Sequence, residues 1–189
     1  MLNIKLPTNL LLIPTVALLA ACGGGSDDAQ FLPGPEGLNA LFIEGEALTA
    51  KFEPLEGSTS LPGGNVEFNG IMALTDLGSE ADDGYIGDVA VDVDFASNAL
   101  TATGTGFFFQ SGEAPGQTRD GELVFTSANV GIGAVSLFSG TLTGDLDLGA
   151  GLVPLIGAGD GLFAGDNADM VAVLGGVNGT DLEFFILAD

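Results

Sequence analysis

Carboxylates are the only abundant reactive side chains in this chain of 189 residues. There are 26 aspartates and glutamates against three lysines and arginines, and no histidine. Without histidine, Ser-His-Asp and Cys-His catalysis, the common zinc sites and histidine-ligated haem are excluded. Acidic pairs occur at Asp82-Asp83, Asp92/Asp94, Asp145/Asp147 and Asp166/Asp169. Calcium requires several oxygens around one point, so these pairs are where a calcium-stabilised structural or adhesive module would hold its ion. A solvated outer face is the competing reading. Paired carboxylates can also hydrolyse glycosides, but no spacing here singles out an acid and a nucleophile. The expectation is therefore a non-enzyme with no assigned metal, and any cofactor-binding residues are left open. Haem, if bound, would fall to Tyr85, Met72 or Met170, or to apolar contact alone; each of these side chains equally suits a structural role.

The stretch DGLFAGDNADMVAVLGG, residues 160–176, places Asp160 and Asp169 nine residues apart among glycines. A glycine–aspartate calcium repeat needs G-G-x-G-x-D-x-apolar-x, stacked several times. Counting back from Asp160, the glycine positions hold Leu155, Ile156 and Ala158; from Asp169 they hold Ala164, Gly165 and Asn167. A phosphate loop would need a lysine or an open helix start, and neither is present. The spacing predicts a hairpin: a strand at 162–164, a turn at Gly165–Ala168 with Gly165 or Asn167 left-handed, and a strand at 170–174.

Cys22 is the single cysteine. It follows a start carrying Lys5, an apolar stretch densest at Leu10–Leu19, and the residues Leu19-Ala20-Ala21. A positive start, a short apolar core and small residues before a break form a secretory signal. The run is too short for a comfortable transmembrane helix, which needs ~20 residues. LAAC resembles a bacterial lipobox, which implies cleavage before Cys22, diacylglycerol on its thiol and an acylated amino group such as a palmitate. Buried acyl chains contribute ~0.8 kcal/mol per CH₂, enough for a stable anchor. Gly23, rather than aspartate, follows the cysteine, and by the same resemblance the outer membrane is the destination, on its surface or its periplasmic face.

The remaining elements must hold whatever chemistry there is. Residues 1–21 read as the lipoprotein signal and 22–37 as a flexible Gly/Pro/Asp-rich tether. Residues 38–64 form an N-terminal extension whose partial alternation fits one or two strands or a short helix. From Asn65 onward period-two alternation dominates. Val89, Val91, Val93 and Phe95 face one way, and Leu142, Gly144, Leu146 and Leu148 do the same further on. In NVEFNGIMALT the inward candidates are Val66, Phe68 and Ile71, and in ALTATGTGFFFQ the threonines alternate with Ala102, Gly104 and Gly106. Ser97-Asn98 and Val177-Asn178-Gly179 are turn signals. GAGLVPLIGAG reads as a loop or broken connection. About eight short antiparallel strands suggest a sandwich or an up-and-down barrel, and closure would remove bare edges. A barrel that itself spans the membrane lacks Trp and Tyr girdles here. The 13 phenylalanines argue for a packed core. Two cations after the signal, Lys51 and Arg119, supply no basic cluster for phosphate contacts, so no nucleic-acid partner is expected.

GYIGDVAVDVDFASNALTATGTGF is similar to a strand–turn–strand of lipoproteins that resemble transferrin-binding protein B, with Tyr85, Gly87, Asp92, Phe95, Leu100 and Thr101 in the matching places. SGTLTG, residues 139–144, resembles a later strand of that family. Residues 161–176 resemble its glycine-rich hairpin through Gly161, Phe163, Gly165 and Ala168. The resemblance covers 65–189 and implies an all-β, eight-stranded antiparallel β-barrel filled with side chains. It implies a lipid-anchored binding module of the kind carried to the cell surface by a translocator, capturing iron or haem carriers or other solutes for an outer-membrane receptor. Residues 38–64 would then be the remnant of a handle domain.

Overall fold

The computed structural model describes residues 35–76, 83–111, 116–131 and 137–189. The expected signal, Cys22 and most of the tether lie outside them. So do Asp82 and parts of three connections.

Among the described residues nine strands follow one helix. The helix, α1, spans Pro35–Phe52. The strands are β1 (Asn65–Asp76), β2 (Gly84–Asp94), β3 (Ala99–Gln110), β4 (Gln117–Arg119), β5 (Gly121–Ser127), β6 (Leu137–Asp147), β7 (Leu152–Ala164), β8 (Met170–Val177) and β9 (Leu182–Ala188). Hydrogen-bonded neighbours run β2-β1-β9-β8-β7-β6-β5-β3, and β3 returns to β2. Every pairing is antiparallel. The described protein is thus all-β apart from α1: a closed eight-stranded antiparallel barrel, with the short β4 pairing antiparallel beside the end of β3, in line with β5.

Alternation fixes the two faces as expected in β2 and β6. Val89, Val91 and Val93 point inward, as do Leu142 and Leu146. Their neighbours Ala90, Asp92, Thr141, Thr143 and Asp145 are exposed. The interior is occupied by the chain's own side chains, including the fully buried Phe107, Phe125, Phe163 and Phe184. Each buried phenylalanine contributes on the order of 1.5–3 kcal/mol through the apolar surface it removes from water.

Three expectations are corrected. Ile71 does not join Val66 and Phe68 inside; Met72 and Leu74 do, while Ile71 faces outward beneath α1. Period two from Phe68 requires this, and only the helix makes an outward isoleucine buried. In β3 the alternation breaks. Ile86 pairs with Phe108 but Asp88 with Thr105, a bulge against β2. Gly106 takes a left-handed φ of 64° there, as glycine readily does. The extra residue shifts the phase, so Phe107 points inward and Phe108 outward. Finally, Leu152–Gly159 of the stretch read as a loop or broken connection belongs to β7. Pro154 is tolerated because Ile156, two residues on, accepts a bond from Asn178 on the β8 side. The missing amide of Pro154 therefore faces the same side, past the end of β8, where nothing needs it.

The helix resolves the ambiguity of residues 38–64. It begins at Pro35, inside the stretch read as tether, with proline free of a needed amide and Glu36 favourable in the first turn. Leu38, Leu41 and Leu48 pack onto Ile71, Ala73, Ile86, Phe108 and Leu187, the outer wall of β1, β2, β3 and β9.

Candidate functional site

The two ends of the barrel differ. One is plugged by the segment that follows α1. Ser58 N–H donates to the Phe163 carbonyl at 2.8 Å, Gly165 N–H donates to the Glu56 carbonyl at 3.0 Å, and Gly57 bridges Ala164. The Ser58 hydroxyl is buried; it donates to the Ser60 carbonyl at 2.6 Å and accepts from Ala168 N–H at 3.0 Å. Ala168 is left-handed, with φ of 57°, as is Gly165 at 88°. The hairpin predicted for residues 162–174 is present, with its turn at 165–168. The left-handed residues are Gly165 and Ala168 rather than Asn167, and the Ala168 amide is bound by the Ser58 hydroxyl.

The described residues of the opposite end form a shallow mouth. A depression of about 370 Å³ lies among the end of β1, the start of β2, the end of β3 and the turns joining β6 to β7 and β8 to β9. Tyr85 and Phe109 supply an aromatic floor, with ring centroids 5.1 Å apart. Leu148 and Leu182 add apolar walls, and Asp76, Asp83, Asp181 and Thr180 add polar groups. Arg119 of β4 lies beside it, its guanidinium carbon 5.2 Å from the centre of the Phe109 ring, a distance at which a cation is held by the ring quadrupole. Its Nη2 donates to Gln117 Oε1 at 3.0 Å. Burial pushes the Tyr85 hydroxyl above its ordinary pKa. Arg119 opposes that, and the charges of Asp147, Asp83 and Asp76 reinforce it. Tyr85 is therefore a neutral hydrogen-bonding group rather than a phenolate.

The alternatives named for haem lie in three different places. Met72 is in the barrel interior, Met170 is buried outside it beneath α1, and Tyr85 is at the mouth. One member of each of two acidic pairs is engaged in a turn. The Asp94 carboxylate accepts from Ala96 N–H at 2.9 Å, Ser97 N–H at 3.2 Å and Ser97 Oγ at 2.6 Å. Those bonds, the serine hydroxyl first, hold its pKa below the usual range. Asp147 Oδ1 accepts from Gly149 N–H at 2.8 Å and Gly151 N–H at 3.0 Å, with the same effect on its pKa. Among the described residues, no group of three metal-ligating side chains stands close enough to hold an ion.

Sequence reasoning did not single out the mouth, because its members come from positions 76 to 182 and share no local spacing. Arg119, the one cation of residues 65–189, ten residues after the run Phe107–Phe109, was the available signal. Among the described residues no helix is long and apolar enough to cross a membrane. No protein-family model matches this chain, and no curated protein aligns with it significantly.

Proposed function

We propose that this protein is a non-enzymatic binding module held at the bacterial outer membrane by a lipid on Cys22, with a barrel similar to those of the transferrin-binding protein B kind. The observation that carries the reading is a closed barrel filled by its own phenylalanines, plugged at one end and bearing, among the described residues, an aromatic-floored depression at the other. Such a barrel presents surface rather than an internal ligand chamber. Capture of an iron or haem carrier, or of another solute, would then occur at the mouth or on the outer wall, for delivery to an outer-membrane receptor. The calcium-stabilised alternative draws less support, since Asp94 and Asp147 already bond backbone amides.

The test has two arms on the full chain. Labelling with a clickable palmitate analogue should mark the wild type and not Cys22→Ser, and the variant should leave the membrane fraction. Crosslinking in intact cells should then recover an outer-membrane receptor or a bound solute with the wild type, and less of it with Arg119→Met. Unlabelled wild type would refute the anchor. A labelled protein that recovers no receptor and no solute would refute the binding role.

A further inference from the structure

The α1–barrel interface holds carboxylates that an apolar seam would ordinarily exclude. Glu44 is three residues after Leu41 and four before Leu48, both buried against the barrel, so it lies on the docking stripe of the helix. Its neighbour Gly45 rests on β1: a Cβ there would stand 2.8 Å from Ile71 Cδ1. Ile71 is paired across the β1–β2 ladder with Asp88. Asp88 shares the outer face of β2 with Ile86, which α1 buries. Helix register and strand register therefore bring Glu44 and Asp88 to one spot, both half-buried.

The other charges around them are few. Asp189 bonds Asn69 of β1 through both backbone groups, at 3.0 and 3.1 Å, and adds a third negative charge near Glu44. Lys51, one turn beyond Leu48, is ion-paired with Asp189. The outer rows of β1, β2 and β9 carry Glu67, Asp92 and Glu183 further along, while the outer residues of β3 and β8 on this side, among them Thr103, Thr105, Phe108, Met170 and Ala172, carry no charge. Arg119 is engaged at the mouth.

We propose that α1 is a pH-sensitive strap, seated firmly on the barrel while Glu44 or Asp88 is protonated and loosened when both are ionised. Burial raises both carboxyl groups, and for Glu44 the charges of Asp88 and then Asp189 add to it. A carboxyl group held above its unfolded pKa stabilises docking while protonated. That contribution is lost as pH rises through the docked value. Lifting the strap would uncover Ile71, Ile86, Phe108 and Leu187.

Hydrogen exchange on the full chain tests this, with α1 amides compared with β6–β7 amides after correction for intrinsic rates. From about pH 4 to about pH 8, α1 protection should fall by roughly threefold to tenfold relative to β6–β7. In Glu44→Gln/Asp88→Asn it should stay high and flat. If the double variant does not fold, Glu44→Gln alone should reduce the slope. Lys51→Met should lower protection at every pH and keep the slope. A flat wild-type ratio, a slope that survives the carboxylate substitutions, or a slope abolished by Lys51→Met would each overturn the strap.

Discussion

Met72 occupies the space that a side chain at Gly104 would need. A Cβ at position 104 would stand 2.6 Å from Met72 Sδ and 3.1 Å from the edge of Phe107. The two residues come from β1 and β3, which flank β2, and meet inside the barrel.

Gly104→Val is accordingly expected to overpack the interior, costing about 1–3 kcal/mol. Met72→Ala is expected to leave a void and cost about 2–5 kcal/mol. Urea midpoints at constant m-value report both. If Gly104→Val were neutral, the barrel would have room inside and the surface-binding reading would lose its main support.

Ser58→Ala removes the partner of the buried amide of Ala168. An unsatisfied buried donor costs about 1–3 kcal/mol. Exchange should quicken at Ala168 and across residues 163–168 ahead of the rest of β7. An unchanged exchange rate at Ala168 would show that the plug is not held by this hydroxyl.

Asp94 carries a pH signature of opposite sign to that of Glu44. Its pKa is depressed by Ser97 Oγ and by two backbone amides. Its contribution to stability is present above the ordinary carboxylate range and is lost as pH falls through the depressed value. Asp94→Ala should therefore lower the denaturation midpoint near about pH 7 and converge with the wild type in acid. A gap that persists undiminished at the acid end would assign the effect to packing instead of to the turn.

Salt should stabilise this protein without regard to which cation supplies it. With 26 acidic residues against three basic ones, self-repulsion opposes the compact state and is screened by ions. Melting temperatures in sodium and calcium chloride should coincide at matched ionic strength. A calcium-specific rise that a chelator reverses would favour the structural alternative.

Much of the barrel was legible because strand alternation is a local property. The inward rows of β2 and β6, the turn after Asp94 and the hairpin of residues 162–174 each follow from adjacent residue types. The bulge at Gly106 was not, since a glycine in a strand is equally compatible with unbroken alternation until its φ is known. β7 was obscured by Pro154, whose harmlessness depends on where β8 ends. The mouth was hidden for a related reason. Tyr85, Phe109 and Leu182 acquire a common address only when β2, β3 and β9 reach the same rim.

By itself the sequence determined which residues alternate between two faces, where the chain turns, and which chemistries the absence of histidine removes. These depend on covalent neighbours and on composition alone. Tertiary structure decided that β3 would meet β2 and close the sheet, and that α1 would cover one wall of the cylinder. It also decided that Ile71, Ile86 and Phe108 would be buried on the outside. Those outcomes depend on contacts between segments far apart in the chain, where a buried isoleucine and an exposed one carry the same local pattern.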